Sequence, residues 1–252
     1  MSKTNLVLLG SNTAKAGFRN EDDIVKKFKN WKNDFDSQEW LQIMNYELKK
    51  IEKIEAIKLS RKKADIQVQI KIYLKEAISA ENISIKLVSN PQGYNQIDKR
   101  KVDKYVEMWN IPNDVSTILK LFTGETISEI GNLRDKRRMF FDEMTEDKRK
   151  KVVDFFTKNK ILVISDIIKG RDQFSADWML VALIIGNQSN WVLKSINQAM
   201  QKFGEGSIKV TKLGSLKIGN ITMQRKGGDA GRETAKMLQF KINPVLLFDK
   251  YR

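Results

Sequence analysis

Between Ile66 and Ile72 every second residue is a β-branched aliphatic: Ile66, Val68, Ile70 and Ile72 alternate with Gln67, Gln69 and Lys71. Successive side chains of a strand point to opposite faces, so a period of two predicts a strand with one buried and one polar face. Asp65 opens it. A second strand is predicted over Ile83, Ser84, Ile85, Lys86, Leu87 and Val88, closed by a turn at Pro91, Gln92 and Gly93. A chain carrying this pair has to build a sheet and cover it.

The cover is legible as helices. Asn20 is placed to cap a helix over about 20–32, with Ile24, Val25, Phe28 and Trp31 at helical spacing. Residues 38–58, Tyr94 to Lys104, 113–122, 136–160 and Trp191 to Phe203 are also predicted helical. The stretch 161–168 is compatible with a helix or a strand. Trp178 to Ile185 is predicted to be a strand, as are Ser215–Ile218, Ile221–Gln224 and Met237–Ile242. The expectation is an α/β fold with helices flanking a central mixed β-sheet. Neither a repeat nor a long linker divides it, so 1–252 is expected to form a single domain.

Among its 252 residues Lys and Arg number 46 against 31 Asp and Glu, a formal net charge of +15. Such an excess favours a polyanionic partner, because each neutralised phosphate releases condensed counterions. A basic soluble protein without a nucleic-acid role has the same charge. There is no cysteine, which excludes disulfides, zinc–thiolate sites and a thiol nucleophile. Leu6 to Leu9 is too short for a signal-peptide core, and the longest apolar run, Trp178 to Ile185, falls well below the roughly 20 residues of a membrane span. A cytoplasmic protein is expected.

The chain also has no histidine. Histidine-based triads and histidine-activated waters are thereby excluded. Hydrolysis would have to run on carboxylate, lysine, backbone carbonyl, water and an oxygen-loving metal such as Mg2+. Ser84 and Lys86, two apart in a strand, project together. If the two strands are neighbours, Asp65 joins them. Asp65 would then ligate Mg2+, the Ile85 carbonyl would offer a second oxygen, and Lys86 would position or polarise the attacking water. A strand-capping aspartate and a solvated lysine account for the same spacing.

Asp65, the run Ile83 to Asn90 and the run Gly93 to Lys99 resemble the active-site region of the HinP-type restriction endonucleases, which cut the palindrome GCGC and belong to the PD-(D/E)XK superfamily. The likeness extends to Leu9-Gly10-Ser11, Thr13-Ala14-Lys15, Gly17-Phe18, Lys136 to Phe140 and the tail Gln224 to Phe240. It implies a PD-(D/E)XK nuclease fold with added helical and C-terminal β elements, a catalytic hairpin at about 64–90 and a DNA-recognition β region at about 214–243.

The resemblance also implies roles. Asp65 matches the family's metal-binding aspartate and Lys86 its catalytic lysine. Ser84 stands where the superfamily has Glu or Asp and the HinP-type enzyme Gln, and Ala64 replaces the serine before the aspartate. Glu21 is a candidate for the missing carboxylate, although an acidic residue in a helix's first turn also complements the helix dipole. Tyr94 matches an aromatic that wedges into the base stack, and Asn95, Gln96 and Lys99 follow it. Gln224, Arg225, Lys226, Asp229 and Arg232 are suited to the edges of G and C, or to phosphates alone. The implied activity is Mg2+-dependent cleavage of double-stranded DNA that leaves 5′-phosphate ends. It would belong to a restriction–modification system, be blocked by a cognate methyltransferase, and act as a homodimer or a monomer. A DNA-binding protein of the same fold, inactive because of Ser84, is the alternative.

Overall fold

The computed structural model describes residues 15–16, 19–59, 67–129, 133–228 and 232–249. In chain order the elements are helix α1 (19–29) and helix α2 (Phe35–Ile43), then strands β1 (Ile51–Leu59), β2 (Gln67–Leu74), β3 (Ile78–Val88) and β4 (Asn95–Arg100). Helices α3 (Val102–Trp109), α4 (Asn113–Thr123), α5 (Glu146–Lys158) and α6 (Lys160–Ile168) follow. Strands β5 (Trp178–Ile185) and β6 (Gln188–Ser195) and helix α7 (Ile196–Gly204) come next. Strands β7 (Ile208–Val210), β8 (Leu216–Ile218), β9 (Ile221–Arg225) and β10 (Leu238–Ile242) complete the order. The chain divides into two compact units: Met1–Gly93 with Lys169–Ala199 and Pro244–Arg252, and Tyr94–Ile168 with Met200–Asn243.

The first unit is built on a five-stranded sheet of order β1-β2-β3-β5-β6. β3 and β5 run parallel and every other pair is antiparallel, so the sheet is mixed. A parallel pair needs a long crossover, and the chain between β3 and β5 carries β4 and α3 to α6. On one face Ile54, Ala56, Val68, Ile70, Ile72, Ile83, Ile85, Leu180 and Leu193 pack with Ile24 and Phe28 of α1 and Trp40 and Leu41 of α2. Each buried aliphatic contributes roughly 1.5–3 kcal/mol. The Trp40 ring lies 5.5 Å from both Phe28 and Trp191, wedging the helices onto the sheet.

Several expectations change in this unit. Asn20 lies inside a helix rather than capping it, because Arg19 before it is already helical. Of 38–58 only the part up to Ile43 is α-helical, Leu48–Lys50 is a single 3-10 turn, and Ile51–Leu59 is a strand. A β-bulge between Ile51 and Lys53 lets Ile51 and Ile54, three apart, both point inward, and that spacing imitates a helix. Trp191 to Ser195 belongs to β6, with the helix starting only at Ile196, because β6 closes on β5 through a hairpin in which Ile185 faces Gln188. The strand expected at Ile83 begins five residues earlier, at Ile78.

The second unit holds an antiparallel sheet of order β4-β10-β9-β8-β7. Tyr94 to Lys104 is not one helix: β4 pairs with β10, and α3 follows. That partner lies some 140 residues along the chain, beyond any local pattern. Tyr105 and Trp109 of α3 stack at 4.7 Å, and Phe240 of β10 meets Tyr105 edge-on at 5.3 Å. Within 136–160 the α-helix is confined to Glu146–Lys158 and Lys160, the first residue of α6. Residues 136–145 instead lean on the end of α4, where Met139 N donates to Leu121 O at 3.0 Å. Gly124 makes this approach possible: its φ is +79°, and a Cβ there would come 2.1 Å from the Arg137 carbonyl oxygen. The stretch 161–168 is helical, within α6, and β7 was not anticipated. Among the described residues no helix is long and apolar enough to cross a membrane.

Candidate functional site

β3 alternates Ile83 and Ile85, which enter the core under α1, with Ser84 and Lys86 on its other face. Ser84 and Lys86 are each only 5 % exposed. In the ladders Ser84 stands opposite Gln67 of β2 and Met179 of β5, and Lys86 opposite Val181 of β5. The sheet therefore holds the predicted pair side by side between two neighbouring strands. Asp65 and Ala64 lie outside the described residues. An ammonium taken out of water is costly unless anions compensate it.

Glu21 of α1 is an anion on which the Lys86 charge acts. It is buried, its Oε2 has no hydrogen-bond partner, and Lys58 Nζ stands 3.4 Å from that oxygen. Lys58 Nζ also meets Asp22 Oδ1 at 2.9 Å. Loss of hydration raises the Glu21 carboxyl to about 7. Lys58 pulls against that shift, Asp22 adds to it, and the Lys86 charge acts to lower it. The Lys86 charge thus acts on the α1 carboxylate, more weakly than Lys58 and Asp22 do. Among the described residues no three acidic side chains gather into a metal-binding group.

In the second unit the cross-strand pairs run Lys209–Lys217–Thr222–Lys241–Gln96 in one row and Gln224–Gln239–Lys99 in the next. Residues alternating with them, including Leu216, Ile218, Ile221, Met223, Leu238, Phe240 and Ile242, are buried on the other face. One face of this sheet therefore carries four lysines, three glutamines and a threonine in these rows, with no carboxylate. Gln96, Lys99 and Gln224 were candidates from the sequence. Lys209, Lys217, Thr222, Gln239 and Lys241 were missed, though the period-2 runs Leu216–Ile218 and Leu238–Ile242 carry the signal. Burial, with the Lys226 charge adding to it, lowers the Lys241 ammonium below its usual value. Tyr94 is 52 % exposed, and Lys217 Nζ stands 5.4 Å from its ring centroid. Asn95 opens β4, the strand that carries Gln96 and Lys99.

The candidates at 224–232 divide. Arg225 ends β9, and its Nε donates to Thr123 O at 2.7 Å, so part of its guanidinium is spent on the end of α4. The Lys226 amide donates to Met237 O at 2.8 Å. Gly227 and Gly228 both have φ of +63°, left-handed backbone that glycine adopts without a Cβ penalty. Arg232 is exposed, and Asp229 lies outside the described residues.

Among solved structures the fold is similar to that of restriction endonuclease MspI, crystallised in complex with its cognate DNA: TM-score 0.63, 13 % identity, with 89 % of this chain and 88 % of that chain covered. A mixed sheet flanked by helices, carrying a buried lysine on a central strand, is in this company a restriction-endonuclease fold. No curated protein matches the sequence. The family model of the R.HinP1I restriction endonuclease matches residues 44–248. The chain belongs to that family and is a type II site-specific deoxyribonuclease.

Proposed function

We propose that the chain binds double-stranded DNA and, with Mg2+, hydrolyses a phosphodiester bond at the palindrome GCGC, leaving 5′-phosphate ends. A cognate methyltransferase would protect the host's own sites in a restriction–modification system. The protein would work in the cytoplasm on a two-fold site, as a homodimer, with both compact units serving one endonuclease. The observation that carries this reading is Lys86, a lysine 5 % exposed that shares its strand face with Ser84. Asp65 stands two residues before Gln67, whose backbone pairs with Ser84, and this spacing supports convergence of Asp65 with Lys86.

The oxygen donors suit a hard cation that needs one or two carboxylates and keeps its own waters. Asp65, the Ile85 carbonyl and Glu21 would hold Mg2+, the orphaned Glu21 Oε2 being the observation in favour of the last. Bound there, Mg2+ supplies positive charge against the scissile phosphate and lowers the pKa of water. Lys86 orients and polarises the attacking water, and the Ser84 hydroxyl holds that water by a hydrogen bond without adding charge. Tyr94 stacks on or between bases. Asn95, Gln96 and Lys99, with Gln224, Arg225, Lys226, Asp229 and Arg232, meet base edges and phosphates. The sheet face of lysines and glutamines is complementary in charge to the duplex backbone.

Digestion of plasmid DNA of known sequence with Mg2+ tests the reading, and sequencing the fragment ends gives site and offset together. Discrete fragments are expected. Asp65→Ala and Lys86→Ala should abolish them while preserving binding in Ca2+. Unchanged cleavage by either variant would overturn the assignment.

A further inference from the structure

Gln239 of β10 is 6 % exposed, on the polar face of the second sheet. Its Nε2 donates to Gln96 Oε1 at 2.8 Å, while its own Oε1 is buried without a hydrogen-bond partner. Neighbours in the ladders are Gln224 on β9 and Lys99 on β4. An orphaned buried carbonyl is a cost that a methionine of similar length would avoid. Stability alone therefore does not account for a glutamine at this position.

The bond does one definite thing to Gln96. A glutamine amide has an accepting oxygen and a donating nitrogen, and here the oxygen is committed to the protein. What remains for a ligand is the Nε2 donor pair. Guanine offers two acceptors, N7 and O6, on its major-groove edge, whereas adenine offers an acceptor beside a donor and needs both ends of the amide.

We propose that Gln239 is a specificity-determining positioning residue, fixing the Gln96 amide so that it presents donors only and selects guanine over adenine at one base pair of the target. This rests on the reading of Gln96 as a base contact. Lys99 and Lys241 beside it are donors in every orientation, so they need no partner to set their polarity.

Cleavage is measured on a set of duplexes differing from the target at single base pairs, for Gln96→Ala, Gln239→Met and Gln239→Glu. Gln239→Met should reduce discrimination against adenine at one position roughly tenfold, the lower range for a base contact, leaving other positions unchanged. Gln239→Glu should go further. A carboxylate only accepts, so it turns the Gln96 nitrogen inward and its oxygen outward, shifting preference at that base pair toward adenine or cytosine. Should Gln239→Met not fold, Gln239→Leu replaces it, with thermal unfolding as the check.

If Gln96→Ala leaves discrimination intact, Gln96 is not a base contact and this inference falls with that reading. If Gln96→Ala relaxes one position but Gln239→Met and Gln239→Glu do not, the role of Gln239 alone is wrong. A uniform drop on all duplexes for the Gln239 variants assigns Gln239 to structure only and also overturns it.

Discussion

Lys58 Nζ stands 3.4 Å from Glu21 Oε2, yet that oxygen is buried without a hydrogen bond. The carboxyl consequently keeps its proton up to about 7, against an ordinary 4.5. Between those values the folded protein holds a proton that the unfolded chain has released. Stability from this group is full below 4.5 and falls as pH rises through 7. In EDTA, Glu21→Gln should gain about 2 kcal/mol on wild type between pH 5 and pH 8, measured by urea unfolding. The absence of any such gain would show that Glu21 is ionised throughout this range.

Ser84 lacks the negative charge that a metal site at this strand position would use. Ser84→Asp places a carboxylate beside Lys86, and about tenfold less Mg2+ should then suffice for half-maximal cleavage. Titrating Mg2+ against the cleavage rate measures it. If Ser84 is remote from the ion, the substitution buries a charge and lowers stability without shifting the Mg2+ requirement.

The lysine rows on the second sheet make a separate prediction. Lys209→Gln, Lys217→Gln and Lys241→Gln should each weaken binding to all sequences alike. Each variant should reduce the slope of log K against log salt by about 1 if that lysine meets a phosphate. Fluorescence anisotropy across a salt series, in Ca2+, reads this. A lysine whose loss leaves the slope unchanged is not a phosphate contact.

Gly124 combines a φ of +79° with an approach that would place a Cβ 2.1 Å from the Arg137 carbonyl oxygen. Gly124→Ala should cost roughly 2–4 kcal/mol, from left-handed strain plus displacement of the segment on α4. Thermal unfolding measures the loss. Lys136→Ala, at the exposed residue just before Arg137, serves as the neutral comparison.

Local pattern by itself determined the strands β2, β3, β5, β8, β9 and β10 and the helix α4, because each displays its own period of two or 3.6. Composition excluded histidine and thiol chemistry, and colinear likeness pointed to the family that the match over 44–248 establishes. Tertiary structure decided what depends on partners distant in the chain. β1 was hidden by a bulge that gives Ile51 and Ile54 helical spacing. β4 reads as polar helix until β10 supplies its ladder. The Gln96–Gln239 bond spans 143 residues, and the lysine rows exist only once five strands are in register. Sequence periodicity reports which side of an element is apolar. Which polar sides then share a surface is fixed by strand order, and strand order is a property of the folded chain.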